Sequence, residues 1–482
     1  MNKPIMIVMI LLMSLLTGAA AQEKETVMPN IAGDWSGVLD VGAAKLTLVL
    51  HVTAEAAGGL KATLDSPDQG ASGIPVDAVT FQDGTLKFEM KRLMATFEGV
   101  LNKEGTEISG KFSQGGASFP LALKRGVKPK EAPKRPQEPK PPYPYRAEEV
   151  SYANPNAPGV TLAGTLTLPD GAGPFPAVLL ITGSGPQDRN ESLLGHKPFL
   201  VLADHLTRQG IAVLRVDDRG IGKSTGRFVL ATSQDFASDA LAGVEFLKAH
   251  KQINPHQIGL IGHSEGGLIA PLVATKSKDV AFIVLMAGPG VTGEEILYEQ
   301  GTLLARAAGA PEQSVTDNRK LQAEMFAIVK AEKDPAVAEQ KLKEVMTRRL
   351  AELPEAQRKQ AEASPAAMDA QIKQVNSPWF RYFLTYDPRP ALREIKVPVL
   401  ALNGALDLQV PPKQNLPEIE KALKAAGNRD YRIVELPKLN HLFQTAQTGG
   451  FAEYEKIEET ISPSALNAMS EWILARTAKA RK

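Results

Sequence analysis

From about Ala147 to the end of the chain, short apolar runs alternate with segments of helical periodicity. A short continuous apolar run predicts a strand that is buried on both faces, and such strands occur in parallel sheets. The segments between them, such as 197–210 and 233–250, predict amphipathic helices. The predicted strands are 162–169, 176–183, 211–217, 257–262, 280–288, 397–404 and 431–437. This order favours an α/β fold, in which helices cover both faces of a mainly parallel sheet.

An insertion of more than 100 residues separates the strands predicted at 280–288 and 397–404. It is rich in Ala, Glu, Lys, Gln and Arg, as in "AVAEQKLKEVMTRRLAEL" (336–353), and this composition predicts several helices. An ordinary crossover between strands needs far fewer residues. We therefore predict a helical cap at about 291–390 within a catalytic domain that spans 147–482.

The region before Ala147 has a different pattern. Period-2 alternation between turn residues predicts a small all-β domain, a barrel or a sandwich, over residues 22–125. The runs that carry this pattern are 45–54, 85–90, 95–102 and 119–124. Segment 126–146 contains seven prolines with mostly lysine between them, which predicts an extended Pro/Lys-rich linker.

The first 21 residues have the parts of a secretory signal peptide. Lys3 supplies the positive charge, 5–16 form the apolar segment, and 19–21 are three alanines suited to cleavage after Ala21. We therefore expect an exported protein, periplasmic or secreted, with no stable membrane insertion after cleavage.

The overall composition excludes several classes of site and partner. With 55 basic and 54 acidic residues, the chain offers no charge excess for nucleic acid. It contains no cysteine, so it can form neither disulfides nor thiolate metal sites. No His-Glu-x-x-His motif is present. We expect no metal and no cofactor, and the oligomeric state stays open.

Two serines lie in a Gly-x-Ser-x-Gly pattern, Ser264 in "GHSEG" and Ser224 in "GKSTG". A nucleophile elbow needs a buried strand directly before the serine and a helix directly after it. Ser264 has both, since "IGLIG" precedes it and "GGLIAPLVATK" follows it. Ser224 has neither, and we interpret it as a loop residue. Ser264 is therefore the predicted nucleophile, and a small structural turn residue is the alternative.

Counting histidines identifies the predicted base. Of seven histidines, only His441 follows Ser264, and elbow enzymes carry the triad in the order Ser, acid, His. The acid must orient the imidazole of His441. Asp407 follows the penultimate predicted strand and is our preferred candidate, with Glu435 and Asp387 as weaker alternatives.

An oxyanion hole needs two backbone N–H groups. We expect one from Glu265, the residue after the nucleophile, and no chemical role for its side chain. The second should come from the loop "TGSGPQDRN", where Pro186 lacks an N–H group. That leaves Ser184, which we favour slightly, or Gly185.

Aromatic residues cluster at the end of the cap, in "SPWFRYFLTYDP". Trp379, Phe380, Tyr382 and Phe383 are candidate substrate-binding residues, and packing of the cap on the sheet is the alternative.

Two groups of charged residues, Asp188–Arg189 and 217–219, follow predicted strands. Ion pairs that fix these loops are the favoured interpretation, and binding of a charged substrate group is the alternative.

With these residues placed, the chain resembles serine hydrolases of the α/β-hydrolase superfamily, and in particular EstD-type bacterial carboxylesterases with a β-rich N-terminal region. The motifs that carry the resemblance are "LITGSGPQDRNES", "VDDRGIGKSTG", "GHSEGG", "NGALDLQVPP" and "LNHLFQ". The resemblance implies hydrolysis of short-chain carboxylic esters, small-molecule substrates, through an acyl-serine intermediate.

Two other functions stay open at this point. A serine aminopeptidase or amidase would use the same triad. A non-catalytic cell-envelope binding protein would instead use the β domain, whose Trp35 we interpret as a core residue rather than a sugar platform.

Overall fold

The computed structural model describes residues 31–478 except eight short internal segments, and the predicted signal peptide lies outside the described residues. The segments left out are 42–44, 56–58, 68–70, 115–116, 127–132, 353–354, 356–357 and 359–364. By their internal contacts the described residues form two units. One contains 134–342 and 373–478, and the other contains the residues up to Pro133 together with 343–372.

The described residues up to Arg125 form one nine-stranded antiparallel sheet. Its strands are β1 (Gly33–Asp40), β2 (Lys45–Ala54), β3 (Leu60–Ser66), β4 (Ala71–Pro75), β5 (Ala78–Gln82), β6 (Thr85–Met90), β7 (Ala95–Leu101), β8 (Glu107–Gln114) and β9 (Ala117–Arg125). Their order in the sheet is β4-β3-β2-β1-β9-β8-β7-β6-β5. Most neighbours in sequence pair, because short turns join antiparallel strands. The exceptions are β4 and β5, which are the two edge strands, and the added pairing of β1 with β9.

The two ends of this sheet meet at the link between β4 and β5. Val76 N donates to Ala62 O in β3, and Asp77 N donates to Glu89 O in β6. The inward residues form a single apolar core that includes the fully buried Trp35. Of the two alternatives, a single sheet around one apolar core corresponds to a half-barrel and not to a sandwich of two sheets. The Trp35 indole donates to Ile31 O within the core, as expected for a core residue.

The second sheet has eight strands. They are β10 (Arg146–Ala153), β11 (Thr161–Leu168), β12 (Phe175–Ile181), β13 (Ala212–Val216), β14 (Ile253–His263), β15 (Val280–Met286), β16 (Val399–Gly404) and β17 (Tyr431–Leu436). The order is β10-β11-β13-β12-β14-β15-β16-β17. Only β10 and β11 are antiparallel to their neighbours, and all pairs from β13 to β17 are parallel.

Twelve helices are described around and between these strands. They are α1 (Pro198–Arg208), α2 (Ser233–Ala249), α3 (Glu265–Lys276), α4 (Gly293–Ala307), α5 (Glu312–Ala331), α6 (Pro335–Ala351), α7 (Pro365–Val375), α8 (Pro378–Thr385), α9 (Arg389–Glu394), α10 (Pro412–Ala425), α11 (Phe451–Tyr454) and α12 (Pro463–Thr477). Helices α4 to α9 lie in the insertion between β15 and β16, as the sequence predicts. Within the described ranges, no helix is both long and apolar enough to cross a membrane.

Helices cover both faces of the eight-stranded sheet. Successive residues of β12 belong to different apolar clusters, since Leu179 packs in one and both Val178 and Leu180 pack in the other. Residues of α2, α3 and α10 complete the first cluster, and residues of α1 and α12 complete the second. The predicted fold class, an α/β-hydrolase sheet with a helical insertion and an all-β region before it, is therefore confirmed.

The second half of the predicted linker differs from an extended spacer. The guanidinium of Arg135 donates to the backbone carbonyls of Leu194, Gly195, Glu455 and Ile457, two loops of the hydrolase unit. Burial lowers the pKa of Arg135, although nearby glutamates oppose this effect. Because a guanidinium carries five N–H donors, it can satisfy several loop carbonyls at once, which its proline-rich neighbours cannot do.

Candidate active site

Ser264 lies between the last residue of β14 and the first residue of α3, at the carboxyl edge of the sheet. Its backbone has φ 52° and ψ −118°, a conformation that residues with a Cβ rarely adopt. The Ser264 N–H donates to Met286 O at 2.8 Å, which fixes the bend against β15. A Cβ on Gly266 would collide with Ile181 O, and one on Gly262 would collide with Gly266 O. The glycines of the pattern therefore allow the close approach that this bend requires.

Asp407 and His441 meet at the same edge of the sheet, in the loops that follow β16 and β17. His441 Nδ1 lies 2.8 Å from Asp407 Oδ2, and both side chains are buried. The other carboxylate oxygen of Asp407 accepts from the backbone N–H groups of Gln409 and Val410, at 2.8 and 2.9 Å. The loop of Asp407 thus holds the carboxylate in place. Because Nδ1 of His441 faces this carboxylate, Nε2 is the nitrogen that faces away from it.

The two alternative acids lie elsewhere. Asp387 pairs with Arg389, whose guanidinium lies 2.7 Å away and, despite partial burial, keeps the pKa of Asp387 below its usual value. Glu435 is exposed on the edge strand β17. The structure therefore brings only Asp407 among the three candidates into contact with His441.

His263, at the end of β14, contacts the loop of His441. Its Nε2 lies 3.0 Å from the backbone carbonyl of His441, and its Nδ1 lies 2.9 Å from Glu191 Oε1. The rings of His263 and His441 have centroids 4.9 Å apart. Sequence reasoning assigned no role to the side chains of Glu191 or His263, although both lie in motifs that carried the family resemblance.

The loop predicted to complete the oxyanion hole passes beside Ser264. A Cβ on Gly183 would lie 3.3 Å from Ser264 Cβ, so this glycine borders the nucleophile directly. The N–H of Gly183 is bound to Glu191 Oε1 at 2.6 Å. The following amides, Ser184 and Gly185, stay the candidates for the second oxyanion donor. Glu265, the other candidate, is the first residue of α3, where a helix N–H has no intrahelical acceptor.

The side chain of Glu265 links the elbow to the insertion. Its Oε1 accepts from Ser233 Oγ at 2.6 Å and from Trp379 Nε1 of α8 at 2.8 Å. Burial raises the pKa of Glu265, and these two donors oppose that shift. This side chain therefore has a structural role, because it joins the elbow to Ser233 and to α8.

The four aromatic residues of α8 lie in different surroundings. Phe383 is buried and stacks on Trp379, with centroids 5.3 Å apart, and Phe380 is buried against Phe326. Tyr382 stacks on Tyr386. Phe380 and Phe383 thus pack the insertion onto its neighbours, and Trp379 is the member that reaches the elbow.

The charged loop residues are engaged in buried or partly buried pairs, which supports the loop-fixing interpretation. Arg189 binds Asp217 through two nitrogens, and Arg219 binds both oxygens of Asp239. Asp188 accepts from the backbone of Asn190 and Ser192 in its own turn.

A cavity of about 50 Å³ adjoins the elbow. Its walls include Thr182, Gly183, Phe236, Asp218 and Glu265. Burial raises the pKa of Asp218 to about 8, although the amide of Gln187 and the hydroxyl of Thr182 donate to it. Among the described residues, no three His, Asp or Glu side chains are grouped to hold a metal ion.

Ser224 has a structural place in its loop. Its hydroxyl donates to Asp217 O at 2.7 Å and accepts from Ala163 N at 2.9 Å, and the residue is buried.

Sequence comparison gives the family. Residues 158–437, more than half of the chain, match the model of the X-Pro dipeptidyl-peptidase (S15) family. The esterase EstD of Thermotoga maritima is 28% identical over 282 residues, which are 58% of this chain and 58% of that protein. Acyl-coenzyme A thioesterase 1 of Rattus norvegicus is 29% identical over 142 residues, 29% of this chain and 30% of that protein. The chain therefore matches less than two thirds of the length of these relatives.

Among solved structures, the Pyrococcus furiosus esterase Pf2001 is similar at 15% identity with a TM-score of 0.39, covering 69% of this chain and 90% of that one. At this score the fold assignment rests on the strand order and on the family match instead. The chain belongs to the X-Pro dipeptidyl-peptidase (S15) family and is an α/β-hydrolase serine hydrolase.

Proposed function

We propose that this hydrolase is an exported carboxylesterase that cleaves esters of short acyl chains through an acyl-serine intermediate. The observation that carries the proposal is the buried pair of His441 and Asp407 at the sheet edge where the bent backbone presents Ser264. The similarity to an esterase and to a thioesterase supports esters as substrates. Export rests on the signal peptide predicted from residues 1–21.

In the first half of the proposed reaction, His441 acts through Nε2, because Nδ1 faces Asp407. Nε2 accepts the hydroxyl proton of Ser264 as its oxygen attacks the ester carbonyl carbon. The carbonyl oxygen becomes an oxyanion, which the N–H groups of Glu265 and of Ser184 or Gly185 stabilise. When the tetrahedral intermediate collapses, the C–O bond to the alcohol breaks and Nε2 donates its proton to the leaving oxygen.

In the second half, water takes the place of the alcohol. Nε2 of His441 accepts a proton from the water as it attacks the acyl-serine carbonyl, and the same amides stabilise the second oxyanion. Collapse releases the carboxylic acid and returns the proton to Ser264. Asp407 stabilises the imidazolium in both halves, and the reaction consumes only ester and water.

The preference for short acyl chains rests on the resemblance to EstD-type carboxylesterases. Trp379 and Phe383 of α8 stay candidate substrate-binding residues in this proposal, since Trp379 binds the side chain of Glu265 beside Ser264 and stacks on Phe383.

The direct test is turnover of p-nitrophenyl esters from acetate to palmitate by the mature protein, beside Ser264→Ala. We expect cleavage that declines with chain length, and a loss of about 10⁴-fold or more in kcat in the variant. Full activity in Ser264→Ala would contradict the assignment of the nucleophile. Cleavage of long chains in preference to short ones would contradict the acyl preference alone.

A peptidase is the second candidate, and the family match favours it, since the matched model is named for X-Pro dipeptidyl-peptidases. The same triad cleaves amides and esters. Comparing kcat/KM for an X-Pro-p-nitroanilide and for p-nitrophenyl acetate separates the two: faster hydrolysis of the anilide would replace the esterase proposal. If the protein cleaves neither substrate, both hydrolase proposals fail and a non-catalytic binding function would replace them.

A further inference from the structure

The side chains of Glu191 and His263 lie beside Ser264, but the proposed chemistry does not use them. Glu191 is 3% and His263 5% exposed, so both are removed from solvent at the most conformationally constrained part of the site. Glu191 itself has φ 52°, an unusual backbone conformation for a residue with a long side chain. Burial of two ionisable groups is costly unless they satisfy each other.

The contacts of His263 determine how many protons its ring must hold. Nε2 faces the carbonyl oxygen of His441, which can only accept a hydrogen bond. Nδ1 faces Glu191 Oε1, which already accepts from the N–H of Gly183 at 2.6 Å. With Glu191 ionised, a neutral imidazole carries one N–H and would leave one of these oxygens facing a lone pair. The two contacts of the ring therefore need two protons in all, and the raised pKa of His263 favours both on the imidazole, with Glu191 as a carboxylate.

The same contacts join three segments of the candidate site. Glu191 Oε1 holds Gly183, which precedes the predicted oxyanion donors, and it holds His263, which precedes Ser264. His263 in turn holds the backbone of His441. These segments are far apart in sequence, 72 residues between Glu191 and His263 and 178 between His263 and His441. One buried ion pair thus fixes the relative position of nucleophile, base and oxyanion loop.

We infer that Glu191 and His263 form a charged pair that positions the segments of the hydrolase site. The site is correctly assembled only while both ring nitrogens of His263 carry a proton. This inference rests on the proposed function for its kinetic consequences. The pair is neutral as a whole, so it anchors the loop of His441 without opposing the positive charge that His441 gains during the reaction.

The charged groups around the pair are consistent with this state. Burial alone would lower the pKa of His263, but the adjacent Glu191 carboxylate and the carbonyl of His441, with Asp407 further away, raise it above its usual value. Burial raises the pKa of Asp218, in the loop after β13, and the carboxyls of Glu265 and Glu191 raise it further. The ring of His441 lies against the ring of His263.

The first test needs no activity. Long-range ¹⁵N–¹H NMR of the seven histidine rings, with His263 assigned by its absence in His263→Gln, reports the protonation of each ring nitrogen. We expect two protonated nitrogens on His263 at neutral pH, whereas an ordinary exposed histidine is mostly neutral there. A ring with a single protonated nitrogen at pH 7 would overturn the inference.

The second test uses Glu191→Gln, which keeps the shape and an acceptor for Gly183 but removes the charge. We expect kcat to fall roughly 10- to 100-fold with KM little changed, because displaced reacting groups slow the chemical step. The alkaline limb of the pH profile should move to lower pH, since His263 loses its counter-charge. His205→Gln is the matched control: this half-buried ring contacts Ser470, between α1 and α12.

A purely structural role would give a different result. In that case Glu191→Gln would lower Tm as His205→Gln does, but kcat and the pH profile of the folded enzyme would match the wild type, and the inference would fail. If the variant does not fold, the NMR result on the wild type still decides. Failure of the proposed function is distinct, since the wild type would then cleave no ester whatever the state of His263.

Discussion

Two loops of the same unit match the same five-residue pattern, yet their serines differ in burial, in hydrogen bonding and in backbone conformation. Ser224 is buried, and its hydroxyl accepts from the N–H of Ala163 and donates to the carbonyl of Asp217. Ser264 is only partly buried, and the unusual φ of 52° turns it away from the line of β14 at the strand end. The pattern alone therefore specifies small residues around a serine, whereas the flanking strand and helix specify what the hydroxyl can do.

The surroundings of the two loops differ in the same sense. Around Ser224, arginine and carboxylate side chains neutralise each other in ion pairs such as Arg189–Asp217 and Arg219–Asp239. Around Ser264, Glu191 binds the ring of His263, that ring contacts the backbone carbonyl of His441, and the ring of His441 binds Asp407. The ion pairs stabilise the loop of Ser224, whereas the contacts around Ser264 join the segments that carry the predicted nucleophile and the predicted base.

Among the variants that test the difference between the two loops, we expect the largest change in kcat from Asp407→Asn. The amide keeps the size of the side chain but favours the wrong tautomer of His441, so we expect kcat for esters to fall about 10⁴-fold with little change in Tm. Asp387→Asn and Glu435→Gln are matched controls and should leave kcat close to that of the wild type. A loss of similar size in either control, with Asp407→Asn active, would reassign the acid.

Ser224→Ala should affect stability instead of catalysis. The substitution leaves the buried N–H of Ala163 without the acceptor it has now, which costs about 1–3 kcal/mol of unfolding free energy. We expect a lower midpoint in urea unfolding and an unchanged kcat for the folded enzyme, with Ser192→Ala, an exposed serine, as control. A Ser224→Ala variant that is as stable as the wild type but inactive would contradict a purely structural role for Ser224.

The smallest effect concerns Asp218, in the loop of Ser224. Its pKa is about 8 in the folded protein, while an aspartate in an unfolded chain ionises near pH 4. Between about pH 4 and about pH 8, Asp218 is protonated in the folded state and ionised in the unfolded state. Raising the pH through this range therefore lowers the free energy of unfolding, because the unfolded state binds fewer protons. Asp218→Asn cannot ionise, and its Tm should decline less than that of the wild type from about pH 5 to about pH 8.

Asp279→Asn, in a partly exposed pair with Lys248, is the control for this experiment. Parallel pH profiles of Tm for the wild type and for Asp218→Asn would show that this carboxyl is ionised in the folded state, and would contradict the assignment of its proton.

The parts of the molecule that the sequence predicts well are those determined by neighbouring residues. The apolar runs from β11 to β17 and the amphipathic α1 and α2 follow from local periodicity, and the elbow is one contiguous segment. Chain order alone singled out His441, the histidine whose ring contacts Asp407 in the structure. Strand β10 was missed because it is a half-exposed edge strand with charged residues, so its pattern is weak.

The parts that could not be predicted depend on contacts between distant residues. Nothing local indicates that Glu191 meets His263, or that Trp379 donates to Glu265 across 114 residues. The composition of the linker predicts an extended chain, but Arg135 meets carbonyls up to 322 residues away. Such contacts become visible only when the sheet has brought its loops together.

The hydrogen bond from the Trp379 indole to the Glu265 carboxylate links helix α8 to the elbow. In the proposed reaction the backbone N–H of Glu265 stabilises the oxyanion while its side chain binds α8, so we expect a displacement of that helix to be transmitted to the first turn of α3. Exchanging α8 between relatives to alter substrate choice should therefore also change the turnover rate.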